Sequence, residues 1–157
     1  MTQILKSQIM LKFLNMSDQS IKKKVQVVII AKEQVLLFEF NQNIPNNYAG
    51  FQNITGGVEG DESYYEAAKR ELMEEAGILH DVVAVDLEFK FHDRWKKDCV
   101  EKVYACLLQD IPEVVLNEEH LHFKWTPIGE VKASDYTFPT NFEAFQAVKK
   151  QFFAGKK

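Results

Sequence analysis

The feature that most constrains this chain is the stretch over residues 56–78, GGVEGDESYYEAAKRELMEEAGI. Two glycines open a loop, a carboxylate-rich segment with helical spacing follows, and a glycine closes it. Asp61, Glu62 and Ser63 place acidic and capping groups at the helix start, where the positive end of the helix dipole favours them. Gly77 is expected to end the helix in the left-handed conformation. The rest of the chain must present this loop and helix on a folded scaffold.

Three glutamates project from or near one side of the predicted helix. Glu71 lies three positions before Glu74 and four before Glu75. Like charges at such spacings repel, so the cluster is either solvated or neutralised by cations. Hard cations such as Mg²⁺ take carboxylate oxygens together with waters and substrate phosphates. Arg70 adjoins the cluster and can pair with its carboxylates. From the helix alone, a solvated acidic face and a metal site both remain open.

The glycine loop favours the metal site. Gly56 and Gly57 let the backbone approach a ligand closely and adopt a positive φ. The loop would also bring its amides towards a helix N-terminus, where anions bind. We therefore expect a divalent-metal site that acts on a phosphoanhydride.

The surrounding pattern predicts a mixed sheet flanked by helices. Residues 25–31 are apolar almost throughout, which is typical of a strand buried on both faces, and residues 34–40 follow after a two-residue turn as the second strand of a hairpin. Alternation predicts further strands, and an aromatic stripe at near-helical spacing predicts a terminal helix. These further strands span 51–55, 82–91, 100–108 and 122–125, and the helix spans 141–153. The elements indicate one α+β domain with a central mixed sheet.

Composition narrows the functional classes. A chain of 157 residues with a net charge of −4 suits one domain and carries no general basic footprint for nucleic acid. No apolar run approaches the roughly 20 residues of a membrane span. Cys99 and Cys106 form no CxxC pair, so we expect neither a zinc site nor a disulfide, and a cytoplasmic location. Residues 1–20 are assigned to an N-terminal extension and residues 21–157 to the domain. A homodimer is kept open.

The pattern Gly-x5-Glu-x7-Arg-Glu-apolar-x-Glu-Glu-x-Gly-apolar over residues 56–78 resembles the Nudix box, with every fixed position present. The resemblance implies a Nudix-type α/β/α sandwich and a hydrolase that uses Mg²⁺ or Mn²⁺. It implies metal ligands at Glu71, Glu74 and Glu75, and at the carbonyl of the residue before the box glycine, Thr55. Glu62 and Arg70 would support the helix start and orient Glu71. Metal ions would neutralise the diphosphate and activate water.

A carboxylate outside the box completes the expected site. The segment Glu119-His-Leu-x-aromatic-Lys-Trp resembles the corresponding part of bacterial dihydroneopterin triphosphate pyrophosphatases, which implies a metal ligand at Glu119 rather than Glu118. Residues 51–59 resemble the entry to the box in that subfamily, and Thr55 would also touch substrate phosphate there. The general base is either Glu71 or Glu119.

Phe40 departs from the subfamily pattern, because a substrate-binding arginine is usual at the end of the second strand. The phosphate clamp is therefore lost, or replaced by Lys22, Lys24 or Lys124. The Phe40 ring could instead stack on a base or pterin ring. Trp95, on a predicted hairpin loop, is a further candidate for ring stacking, and Gly56 a candidate for substrate contact through its backbone.

These expectations define a pyrophosphohydrolase that cleaves a nucleoside-triphosphate-like substrate, dihydroneopterin triphosphate or a (deoxy)nucleoside triphosphate, to a monophosphate and pyrophosphate. The missing arginine at Phe40 keeps a second substrate class open: nucleoside diphosphate sugars or dinucleoside polyphosphates. A nucleotide-sensing module without activity is the third alternative. Such modules generally lose box carboxylates, whereas this chain retains them.

Overall fold

A computed structural model describes residues 21–155 of the chain; the predicted N-terminal extension lies outside this range. One seven-stranded mixed sheet forms the centre. The strands are β1 Lys22–Ala31, β2 Gln34–Phe40, β3 Phe51–Gln52, β4 Ile54–Gly57, β5 Val83–His92, β6 Asp98–Leu108 and β7 His120–Pro127. The helices are α1 Tyr64–Ala76, a short 3-10 helix Ala133–Asp135, and α2 Pro139–Phe152.

Strand β1 organises the sheet. It forms a hairpin with β2, pairs antiparallel with β4 and runs parallel to β6, whose other edge carries β5. Strand β2 also pairs with β3 and β7. The single parallel pair, β1 with β6, makes the sheet mixed, as predicted.

Helices cover both faces of the sheet. Val25, Val27 and Ile29 of β1 pack in the core under α1, whereas Val28 and Ile30 pack in the core under α2. Successive side chains of a strand point to opposite faces, so the continuous apolar run of β1 is explained by burial on both sides. The predicted α+β sandwich is confirmed.

The ends of α1 follow the sequence signals. Ser63 caps the N-terminus in a capping box with Glu66, and Gly77 ends the helix at φ 67°. Helix α2 begins two residues before its predicted start, with Pro139 in its first turn, where the missing amide is tolerated. Within residues 21–155, no helix has the length and hydropathy to cross a membrane.

The predicted strand over 51–55 is divided in two. Asn53 leaves the ladder between β3 and β4 because its backbone N–H donates to Asn141 Oδ1 of α2 at 2.7 Å. A side chain distant in sequence therefore replaces a sheet hydrogen bond, and local alternation carries no sign of that exchange.

Candidate active site

Helix α1 buries two of its three clustered glutamates. Glu71 is 8% and Glu75 1% exposed, on the same side as the apolar residues Ala68 and Leu72, whereas Glu74 is exposed. A solvated acidic face is therefore wrong for Glu71 and Glu75. Buried carboxylates need compensating partners, and the two residues obtain them to very different extents.

Arg70 links the loop before α1 to the carboxylates of α1. Its Nε and Nη2 donate to the two Glu62 oxygens at 2.9 and 2.8 Å, and Nη2 also donates to the Gly57 carbonyl at 2.7 Å. Nη1 donates to Glu71 Oε1 at 2.9 Å and to Glu74 Oε2 at 3.1 Å. The Arg70 hydrogen bond is the main cause that lowers the pKa of Glu62 to about 2. The structure thus brings together Glu71 and the two predicted supports of the helix start, Glu62 and Arg70.

Gly56 lies against Glu71. A Cβ built on Gly56 would stand 2.1 Å from Glu71 Cδ and 2.3 Å from Oε1, so any larger residue would displace that carboxyl group. The expected positive φ at Gly56 and Gly57 is wrong. Both residues belong to strand β4, and the positive-φ glycines of the described chain lie elsewhere, Gly60 and Gly77 among them. The requirement at Gly56 is space for a side chain of α1.

Glu75 is the least compensated carboxylate. Neither of its buried oxygens has a hydrogen-bond partner, and the nearest ring nitrogen, His120 Nδ1, is 3.8 Å from Oε1. Burial first, then the neighbouring carboxylates of Glu119 and Glu71, raise the pKa of Glu75 to about 12. Contacts between carboxyl groups become hydrogen bonds only when they share a proton, so ionised Glu75 has no donor within hydrogen-bond distance. A bound cation would resolve this.

His120 is a buried neighbour that the sequence did not mark as part of the site. Gln52 Nε2 lies 2.9 Å from His120 Nε2, and burial lowers the pKa of the imidazole. With the amide of Gln52 as donor, the neutral ring carries its proton on Nδ1, the atom facing Glu75. Its buried Nδ1 has no hydrogen-bond partner. His120 is thus a buried histidine that lies directly beside the predicted metal ligand Glu75.

The donor set suits a hard divalent cation. Glu71, Glu74, Glu75 and Glu119 supply only carboxylate oxygens, the ligands that Mg²⁺ and Mn²⁺ prefer. In the described part of the chain, no three His, Cys, Asp or Glu side chains are already arranged to hold a metal ion. Arg70 explains this in part, because it occupies one oxygen each of Glu71 and Glu74. The unpartnered oxygens of Glu75 are the feature that fits a cation.

A cavity of about 670 Å³ lies beside this cluster. Thr55 and Glu119 line it, so it reaches two of the predicted ligands. Lys22 and Lys24 also line it; they lie at alternate positions of β1 that share a face with Val28 and the core under α2. The cavity therefore opens on the α2 side of the sheet, whereas α1 packs on the opposite side.

Aromatic side chains form much of the cavity wall: Phe40, Tyr48, Phe91, Trp95 and Phe138. Phe40 is 8% exposed and packs with Tyr48 and Phe138 at centroid distances of 5.8 and 6.1 Å. Trp95 lies at the rim with 68% of its surface exposed. The predicted Phe40 and Trp95 are thus brought to one cavity. Phe40 is well placed to pack on a ring, and Trp95 is solvated.

Three cations line the same cavity: Lys22, Lys24 and Arg94. Lys22 is 3.6 Å from Asp93 and lies over the Trp95 ring at 5.5 Å. The Arg94 guanidinium lies 4.4 Å from the Tyr48 ring centroid and joins two loops across the cavity. Arg94 was missed in the sequence, where it stands in a charged loop without a motif. Lys124, the third predicted substitute for the arginine, packs over Phe51 at 4.2 Å and does not line the cavity.

Comparison with known proteins shows which protein family and which solved structures this chain resembles. Residues 21–148 match the model of the NUDIX domain family. The MutT protein from Methanosarcina mazei Go1 is 23% identical, with a TM-score of 0.70 over 87% of this chain and 96% of that chain. The dihydroneopterin triphosphate pyrophosphohydrolase of E. coli is 24% identical, with a TM-score of 0.67 over 83% of this chain and 93% of that one.

An Ap4A hydrolase from C. elegans has the same fold, with 23% identity and a TM-score of 0.65 over 83% of this chain and 99% of that chain. No curated protein matches the sequence significantly. At these identities the solved structures show the fold alone. The match to the NUDIX domain family supports the predicted pyrophosphohydrolase class. Because the family model spans most of its length, the chain belongs to the NUDIX domain family.

Proposed function

We propose that the chain is a metal-dependent pyrophosphohydrolase that cleaves a nucleoside-triphosphate-like substrate to a monophosphate and pyrophosphate. The observation that carries the proposal is Glu75, a buried carboxylate with two unpartnered oxygens next to Glu71 and Glu119. A divalent cation is the partner that such a carboxylate lacks, and the same cation is what a polyphosphate substrate requires.

Glu71, Glu74, Glu75 and Glu119, with the Thr55 carbonyl, would hold Mg²⁺ or Mn²⁺. The bound metal would supply charge neutralisation of the diphosphate and a water of lowered pKa. Arg70 would keep the Glu71 carboxylate in place through its bond to Oε1.

Glu119 is the proposed proton acceptor for the attacking water. It lines the cavity, whereas Glu71 is buried against Arg70, Gly56 and Glu75. The backbone N–H of Glu119 donates to Asn117 Oδ1 at 3.0 Å, and its carbonyl accepts from Asn41 N at 3.1 Å. These bonds fix the backbone at Glu119 and leave its side chain exposed. A general base must reach the water that it deprotonates, and a side chain at the cavity is suited to that role.

The size and the aromatic walls of the cavity are suited to a substrate with a flat ring. Its volume of about 670 Å³ is within the range of small-molecule sites, and Phe40, Tyr48 and Phe138 offer aromatic surface. Phe40 would contact the ring, with Trp95 at the rim. Lys22 would interact with a phosphate, and Thr55 and Gly56 would lie along the path from the cavity to α1.

A second candidate substrate class rests on the position of Phe40, where the expected arginine is absent. Three cavity cations, Lys22, Lys24 and Arg94, could bind the distal part of a nucleoside diphosphate sugar or a dinucleoside polyphosphate. The shared fold with an Ap4A hydrolase is compatible with that class. A sensing module is disfavoured because Glu71, Glu74 and Glu75 are all retained.

A substrate panel with product identification tests the proposal. Purified protein is incubated with Mg²⁺ and nucleoside triphosphates, dihydroneopterin triphosphate, nucleoside diphosphate sugars and dinucleoside polyphosphates. Pyrophosphate with a monophosphate is the expected outcome. A sugar phosphate or two nucleotides as products would establish the second class, and binding without turnover in Mg²⁺ or Mn²⁺ would establish a sensing module. We also propose residues 21–157 as the catalytic domain, so a chain starting at residue 21 should remain fully active.

A further inference from the structure

Glu101 is a buried carboxylate at the cavity that the proposed hydrolysis does not use. It lies on β6, is 3% exposed and lines the cavity. Burial raises its pKa, and Lys24 and Gln26 oppose that rise. Removing an acidic side chain from water is unfavourable unless hydrogen bonds replace the lost hydration, so its retention here needs an explanation.

A chain of amide side chains holds Glu101 in one orientation. Gln26 Nε2 donates to Glu101 Oε1 at 2.8 Å, and Asn53 Nδ2 donates to Gln26 Oε1 at 2.8 Å. Asn53 is anchored in turn by Asn141, through bonds of 2.7 and 3.1 Å to its side-chain and backbone oxygens. The network joins β1, the β3–β4 junction and α2 behind the cavity wall. Such a preorganised acceptor loses little freedom when a ligand binds.

The other Glu101 oxygen accepts no hydrogen bond from the residues described, 21–155. Its neighbour across the β1–β6 ladder is Lys24. Lys24 forms no ion pair with Glu101 among those residues; its Nζ lies 5.7 Å from the Phe91 ring centroid. A carboxylate has about four acceptor positions, and Gln26 fills one of them. Glu101 thus offers unused acceptor capacity to a cavity with aromatic walls.

We propose that Glu101 is a specificity-determining residue that binds two adjacent N–H donors on the ring of the substrate, a ring N–H and the amino group beside it. This edge is shared by guanine and by 2-amino-4-oxopteridine. Adenine and cytosine place a ring nitrogen acceptor beside their amino group, and uracil flanks its ring N–H with two carbonyl oxygens. These acceptors would face the carboxylate unfavourably. Hypoxanthine has the ring N–H and lacks the amino group. The inference rests on the proposed function, since it assumes that the substrate ring enters this cavity.

Binding of the product-like ligands GMP and IMP tests the inference apart from turnover, because the two differ by one amino group. Calorimetry with Mg²⁺ should give GMP a Kd at least about tenfold lower than IMP, because a site built to pair a donor rejects the analogue that lacks it. In Glu101→Gln, which keeps the size and loses one acceptor, the ratio should approach one. Glu88→Gln is the matched control: Glu88 is exposed on the neighbouring strand β5 and should keep the wild-type ratio.

Two further arms resolve the remaining outcomes. Neopterin should compete with GMP if a pterin is the ring bound; failure to compete assigns the site to guanine. If Glu101→Gln does not fold, Glu101→Asp keeps the charge, withdraws it by one methylene and should also lower the GMP preference. Equal binding of GMP and IMP to wild type, preference for AMP, or an unchanged ratio in both variants would overturn the proposal, as would no binding of any ligand. Selective GMP binding without turnover of any triphosphate would support the specificity role of Glu101 and refute the hydrolase function. Turnover without base preference would support the hydrolase function and refute the specificity role of Glu101.

Discussion

Replacing Gly56 with alanine should move the Glu71 carboxylate without altering any proposed metal-binding side chain. The added Cβ would stand 2.1 Å from Glu71 Cδ, 2.3 Å from Oε1 and 2.6 Å from Cγ, whereas ordinary contact begins near 3.4 Å. The carboxyl group must therefore retreat by more than about 1 Å. A misplacement of that size at a reacting centre lowers the rate about 100-fold, or ~2.7 kcal/mol in kcat/KM.

The fold should tolerate this change. The obstructing atoms belong to the end of a side chain, so Glu71 can change rotamer at about 1 kcal/mol, and alanine offsets part of that by restricting the unfolded chain. Activity should fall while the melting temperature changes by only a few degrees. Pyrophosphate release at several substrate and Mg²⁺ concentrations, with thermal unfolding alongside, measures both quantities.

Gly57→Ala is the matched control, because a Cβ built there meets nothing within 4 Å. The control should keep kcat/KM within about threefold of wild type. Wild-type activity in Gly56→Ala would refute the reasoning, since it would show that the position of Glu71 is unimportant. An equal loss in both variants would also refute it, because the steric difference between the two sites would then have no effect.

The other predictions concern Glu75, Glu119 and the cavity rings. Glu75→Gln should abolish turnover yet stabilise the metal-free protein. The pKa of Glu75 in the folded protein is raised to about 12 from 4.5. The contribution of Glu75 to the free energy of unfolding is therefore fully present below pH 4.5 and is lost as the pH rises, by up to about 1.4 kcal/mol per pH unit. Without metal, the melting temperature of the variant should therefore exceed that of wild type by more at pH 8 than at pH 6, and Mn²⁺ should stabilise wild type alone. The same difference in melting temperature at both pH values would contradict this. Glu119→Gln should lower kcat at least about 100-fold, whereas Glu118→Gln, on the adjacent exposed residue, should not; equal kcat values in the two variants would contradict the assignment. Phe40→Ala should raise KM about tenfold through lost ring contact, and Trp95→Ala by less than about threefold because it is mostly exposed; the reverse order in steady-state kinetics would contradict the placement of the ring.

The sequence predicted the elements whose signals are local. Ser63 and Gly77 mark the ends of α1, and the apolar run of β1 predicts a strand covered on both faces. The box pattern indicates which carboxylates belong together because one helix carries Glu71, Glu74 and Glu75, and helical spacing is readable from residue order.

Features that depend on distant partners could not be predicted in this way. Glu101 sits in an alternating strand, and its link to Asn141 passes through two other side chains. Asn53 breaks a strand only because Asn141 is within reach. A partial signal for this network did exist: Lys24 and Gln26 are polar at alternate positions, so Gln26 interrupts the apolar run that follows the three lysines at the start of β1. That alternation indicates that aliphatic core residues do not cover this part of the sheet face.

Gly56 shows how a correct residue can be singled out for an incorrect reason. Glycine was expected for backbone freedom, but the residue is part of β4 and its lack of a side chain makes room for Glu71. Only the three-dimensional contact between strand and helix distinguishes the two explanations.

The central claim is that a divalent cation on the α1 carboxylates enables hydrolysis of a phosphoanhydride. Its most direct test is the initial rate of pyrophosphate release from a nucleoside-triphosphate-like substrate, measured after chelation and then during titration with Mg²⁺ or Mn²⁺. Wild type should show no activity without metal and saturable activation with it, and Glu75→Gln should stay inactive throughout. Release of pyrophosphate by the chelated protein, or full activation of Glu75→Gln, would contradict the claim.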